Sequence, residues 1–113
     1  MKSTLSLKNN KIFSKLYRKG NCLVSDSLIM YYSKNGLDFA RMGITVSKKI
    51  GKAVVRNYSK RIIRECYRCF EKYASGYDIV FVARSKTPEV GFFQVKKEMD
   101  KLFTKSKLKE EEK

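Results

Sequence analysis

"FARMGITVSKKIGKAVVRNYSKRIIRE" (residues 39–65) holds two patterns in succession. Its first part, FARMGITVS (39–47), is a β-rich run bounded by turn residues and reads as a strand. KKIGK (48–52) is a short basic loop. From Ala53 the apolar residues recur at helical spacing, which predicts a long helix over 53–73, closed by Ser75-Gly76.

The helix sorts its residues into two faces. With Asn57 set at zero and ~100° per residue, Lys60 falls at about −60°, Arg64 at −20°, Arg68 at +20° and Arg61 at +40°. Val55, Tyr58, Ile62, Cys66, Cys69, Phe70 and Tyr73 span roughly +100° to +220° and form the apolar side. No acid occurs before Glu65, which lies off the cationic strip. A solvated helix face ordinarily mixes signs to gain i,i+4 pairs, whereas Lys60 and Arg64 repel at that spacing. A polyanionic partner relieves that repulsion, and arginine's planar fork suits phosphate. The loop adds Ser47, Lys48, Lys49 and Lys52 beside the helix N-terminus, where free N–H groups favour an anion.

Working outward, SLKNNKIFSKLYRKG (6–20) predicts a first helix capped by Gly20, with Ile12, Phe13, Leu16 and Tyr17 on one side. NCLVSDSLIMYYS (21–33) predicts two short strands around Asp26, and Asn35-Gly36 marks a hairpin turn before residue 39. YDIVFVARS (77–85) is nearly continuous in apolar residues and predicts a strand buried on both faces. After a Lys-Thr-Pro turn, EVGFFQVKKEMDKLF (89–103) predicts a last helix. The expected order is α-β-β-β-α-β-α, an α+β sandwich of about four strands and three helices. A single domain over 1–105 with a charged, flexible tail over 106–113 accommodates the 113 residues.

The whole-chain charge agrees with the strip: 26 Lys plus Arg against 11 Asp plus Glu give +15. Residues 1–25 contain no acid. Such imbalance points to nucleic acid and away from a membrane surface. No apolar run is long enough to span a bilayer and no secretion signal is seen, and three cysteines make no disulfide framework, so the cytoplasm is the expected compartment. Catalytic side chains are scarce. Histidine is absent, and Asp26, Asp38 and Asp78 are scattered at element edges, where they suit turns or caps. Cys66-Tyr67-Arg68-Cys69 places both cysteines on the apolar face, so a buried pair is expected rather than a zinc site, which needs about four ligands.

ARMGITVSKKIGKAVVRNYSKRIIRE (40–65) resembles the signature of the bacterial ribonuclease P protein subunit family, in which a strand ends in Gly-x-x-Val-Ser-Lys-Lys and a turn leads to Ala-Val-x-Arg-Asn-Arg-x-Lys-Arg-x-x-Arg-Glu. FSKLYRKG (13–20) and YDIVFVAR (77–84) are similar to the family's first helix and last strand. The resemblance implies a left-handed βαβ crossover. It implies binding of a catalytic RNA, with no DNA partner expected, through Ser47, Lys48, Lys49, Lys52, Arg56, Asn57, Lys60, Arg61, Arg64 and Arg68. It further implies a cleft between the sheet and the first helix, with Phe13, Tyr17 and Tyr31, for the single-stranded 5′ leader of precursor tRNA. The endonucleolytic step, phosphodiester hydrolysis releasing the leader, would rest on Mg²⁺ held mainly by the RNA subunit. One departure stands out: Tyr58 occupies the place of the family's second arginine, at the edge of the apolar face where it would extend the core. From the residues alone, two other readings stay open: a structural RNA-binding protein such as a ribosomal one, and a self-sufficient nuclease.

Overall fold

The computed structural model describes residues 4–7 and 10–109. Five strands and three helices alternate along it: β1 (Thr4–Ser6), α1 (Asn10–Lys19), β2 (Asn21–Val24), β3 (Leu28–Lys34), β4 (Ala40–Thr45), α2 (Ala53–Arg68), β5 (Tyr77–Ala83) and α3 (Thr87–Lys105). The strands form one mixed sheet in the order β1-β4-β5-β3-β2. β4 pairs parallel with both β1 and β5, while β3 runs antiparallel to β5 and β2. Helix α2 makes the crossover between the parallel neighbours β4 and β5.

Residue alternation divides the sheet into two faces. On one, Leu28, Met30, Ile79 and Phe81 are buried under α2 and α3, and Phe81 sits between the rings of Tyr67 and Phe103 at 6.0 and 6.4 Å. On the other, Val80 packs with Leu7 and Leu16 beneath α1. That explains the apolar run of β5, whose Ile79, Val80 and Phe81 are all fully buried. Helix α1 lies across the strands rather than along them: Phe13 meets Gly43 of β4, Leu16 meets Val80 of β5, and Tyr17 meets Tyr31 of β3. Gly43 is what permits the crossing, because a Cβ there would sit 2.7 Å from the Phe13 ring.

Several sequence expectations need correction. The sheet has five strands, not four, because Thr4–Ser6 pairs with Ala40–Met42. Three residues without alternation carry no strand signal, and only the distant partner makes them one. Helix α1 starts at Asn10 instead of residue 6; Lys8 and Asn9 lie outside the described residues. Helix α2 stops at Arg68, and Glu71–Tyr73 form a separate 3₁₀ turn. Helix α3 starts earlier, at Thr87 with Pro88 in its first turn, and is broken at Gly91, whose φ of 78° leaves the helical region. Ser106–Lys109 fold back, with the Lys109 amide donating to the Phe103 carbonyl and its ammonium 2.5 Å from Asp100. Residues 110–113 lie outside the described residues.

Candidate nucleic-acid interface

Two surfaces gather the residues singled out in the sequence. The first is α2 with the loop before it. Asn57, Arg61, Arg64 and Arg68 are exposed along the helix, as the wheel requires. Among the described residues only Arg68 of this strip meets a carboxylate, Glu65 at 3.5 Å, and both side chains are open to solvent, so the pair is worth little. Ser47, Lys48, Lys49 and Lys52 are exposed as well. Lys48–Ile50 form a 3₁₀ turn, Gly51 takes a φ of 151°, and Lys52 caps α2 without any side-chain hydrogen bond. The α2 N-terminus thus presents its dipole and free N–H groups amid lysines.

The buried side of α2 is turned by roughly 50° from the expected one. Ser59, Ile62, Ile63, Cys66, Tyr67 and Phe70 are buried, whereas Tyr58 is 49% exposed and Cys69 is exposed. The reason is that α2 touches two layers at once. Tyr67 faces Phe81 of the sheet, while Phe70 stacks on Phe103 of α3 with centroids 5.3 Å apart. The expected arc left out Ile63, Ser59, whose hydroxyl donates to the Val55 carbonyl, and Tyr67, whose hydroxyl pairs with the Thr4 hydroxyl. Tyr58 therefore does not extend the core; it borders the cationic strip. The expected pair of buried cysteines is corrected too: Cys66 alone is buried, its thiol pushed up to about 12 chiefly by burial. Arg56 and Lys60 flank the buried arc and are half-buried, and the Arg56 Nε is shielded with no hydrogen-bond partner among the described residues.

The second surface lies between α1 and the sheet. Phe13 and Tyr17 have centroids 6.3 Å apart, and Tyr17 and Tyr31 4.8 Å, both edge-on. The three rings predicted from scattered positions thus form one cluster. Tyr17 is 40% exposed and its hydroxyl lies 2.8 Å from the Thr45 hydroxyl. Burial, reinforced by the neighbouring Cys22 thiol, raises the Tyr31 hydroxyl above its usual range. The rings present edges and a partly open face, the arrangement on which unpaired bases stack. Thr45 and Gly43 escaped the sequence reading as site residues. A lone glycine inside a strand was the available signal for Gly43, since it marks a close approach.

The scattered carboxylates stay apart. Asp26 and Asp38 are exposed, and Asp78 is held by Arg41 at 2.7 and 2.8 Å and by Asn35 at 3.1 Å. Among the described residues no three His, Cys, Asp or Glu side chains come together as metal ligands, so the side chains do not by themselves fit a Mg²⁺ centre. No helix among the described residues is long and apolar enough to cross a membrane.

Comparison with known proteins finds relatives along nearly the whole chain. The ribonuclease P family model matches residues 1–107. The ribonuclease P protein component of Caldanaerobacter subterraneus subsp. tengcongensis is 43% identical over 106 residues, covering 93% of this chain and 91% of the relative. That of Clostridioides difficile is 39% identical over 107 residues, covering 93% and 94%. The solved RNase P protein of Staphylococcus aureus superposes with a TM-score of 0.82 at 31% identity, covering 91% of this chain and 95% of that one. The Thermotoga maritima RNase P protein gives 0.79 at 32% identity, covering 88% and 96%. Matched along nearly its full length in sequence and in fold, the chain belongs to the ribonuclease P protein family, whose members act with an RNA subunit in processing tRNA 5′ ends.

Proposed function

We propose that the two surfaces divide the RNA between them. The α2 strip and its preceding loop bind the catalytic RNA subunit, through Ser47, Lys48, Lys49, Lys52, Asn57, Arg61, Arg64 and Arg68, with Arg56 and Lys60 at its flank. The Phe13–Tyr17–Tyr31 cluster takes the single-stranded leader of precursor tRNA. The protein neutralises phosphate repulsion and holds the leader in register, while phosphodiester hydrolysis takes place on the RNA subunit. Mg²⁺ held mainly by that RNA would supply the activated water and charge neutralisation. This ribonucleoprotein endonuclease works in the cytoplasm.

The observation that carries this reading is the exposure of Arg61 and Arg64 with no carboxylate partner among the described residues, on a face opposite the helix core. Such a face is stable beside a polyanion and costly without one. Reconstitution tests it. Purified protein, a candidate catalytic RNA and precursor tRNA are combined at low Mg²⁺, where mature 5′ ends should appear only when the protein is added. Equal cleavage with and without protein rejects the proposal, and cleavage by protein alone replaces it with a self-sufficient nuclease.

A further inference from the structure

Helix α1 crosses the sheet and so leaves a groove on each flank. The aromatic cluster lines one. The other runs between α1 and the ends of β3 and β4, offers about 150 Å³, and is lined by Lys15, Lys19, Lys34, Arg41, Asn35 and Asp78 among others. That is below the roughly 300–1,000 Å³ of a drug-sized ligand pocket, so the groove suits a single charged group rather than a whole nucleotide.

Its charge is unbalanced. Asp78 is the one carboxylate among the lining residues, and it is already engaged by a two-point pair with Arg41 and a hydrogen bond from Asn35. Lys15, Lys19 and Lys34 have no ion-pair partner among the described residues. Lys15 and Lys19 repel across one helical turn. Ile12 and Leu16 form apolar walls, and a concave site with such walls focuses the field of the three ammonium groups. Arg41, fixed by Asp78, is a rigid neighbour rather than a competitor for the lysines. The band continues over the outer side of α1, where Lys15 and Lys19 also border a shallow depression with Arg18.

We propose that this groove is a second RNA-phosphate site, separate from the α2 strip and from the aromatic flank, with Lys15, Lys19 and Lys34 taking a phosphodiester of an RNA strand. The Asn35 amide is committed to the Phe39 carbonyl, the Asp78 carboxylate and the Leu37 N–H, so contact with the phosphate falls to the lysines. The strand belongs either to the RNA subunit or to the precursor tRNA, and one experiment separates them.

The combined variant Lys15→Ala, Lys19→Ala, Lys34→Ala is compared with a control that removes the same charge from exposed positions of α3: Lys97→Ala, Lys101→Ala, Lys105→Ala. Each is measured for binding to the RNA subunit alone and, after assembly, for binding of precursor tRNA across a salt titration. The groove variant should lose about tenfold more affinity than the control in one of the two arms. Its salt slope in that arm should fall by about 0.7–0.9 for each phosphate that is no longer neutralised. Loss in the first arm assigns the strand to the RNA subunit, and loss in the second assigns it to the precursor. Circular dichroism confirms folding, and the matching Lys→Arg variant should restore binding. Equal losses in groove variant and control, or no loss in either arm, overturn the proposal.

Discussion

Helices α1 and α2 are both basic, and they lie on opposite faces of one sheet, yet they use their positive charge differently. Helix α2 buries a broad face between the sheet and α3, so its cations are left on a clean outer strip. Helix α1 buries only Leu16 fully and perches across the strands, so aromatic rings stay half open beneath it. The difference follows from what covers each helix. Two layers of packing around α2 force charge outward, whereas a thin layer under α1 leaves aromatic rings partly exposed. On the proposal above, one helix would offer phosphates a line of guanidinium groups, and the other would offer bases a surface.

The contrast breaks most readily on α2. The double variant Arg61→Ala, Arg64→Ala should weaken binding of the RNA subunit by about 100-fold, taking each charge-assisted contact at about 1.5 kcal/mol. The salt slope should fall by about one unit per residue in a filter-binding titration. An unchanged slope would make α2 an ordinary solvated face. On α1, Tyr17→Ala should cost roughly fivefold to a hundredfold for leader-bearing substrate, the value of one stacked base at about 1–3 kcal/mol. Tyr17→Phe, which loses only the hydroxyl contact with Thr45, should cost less than about tenfold. Comparable losses on substrate without a leader would show that the cleft does not hold the leader.

Gly43→Ala sharpens the same contrast through stability. The new methyl would press on the Phe13 ring at 2.7 Å, so unfolding free energy should fall by about 1–3 kcal/mol, read by denaturant titration. The damage should be confined to the α1 side, reducing leader discrimination while α2 keeps its affinity for the RNA subunit. The smallest effect belongs to Tyr58→Arg. Tyr58 is half exposed beside the strip, so an arginine there should fold equally well and tighten RNA-subunit binding a few-fold at low salt. A loss of stability above about 1 kcal/mol would instead make Tyr58 a packing residue.

Legibility in the sequence followed the range of the interactions. The strand–loop–helix over 39–65, the doubly buried β5 and the exposed positions of Asn57, Arg61, Arg64 and Arg68 rest on local periodicity, and they appear in the structure as read. β1 was not legible, because three residues become a strand only through pairing with β4. The direction of the α2 core was misjudged by about half a residue step, because the expected apolar arc left out Ser59, Ile63 and Tyr67, which the structure buries, and took in Tyr58 and Cys69, which it exposes. The resemblance gathered Phe13, Tyr17 and Tyr31 into a cleft, and their contact depends on the crossing angle that Gly43 allows, which no spacing along the chain reveals.

The central claim is that the two helices serve different RNAs. Crossed binding tests it most directly: Arg61→Ala, Arg64→Ala and Tyr17→Ala are each titrated against the RNA subunit alone and, at saturating assembly, against precursor tRNA with and without a leader. The predicted outcome is crossed. The α2 variants lose affinity for the RNA subunit, and the α1 variant loses only the preference for leader-bearing precursor. Parallel losses, with variants of both helices weakening both bindings in the same proportion, would contradict it.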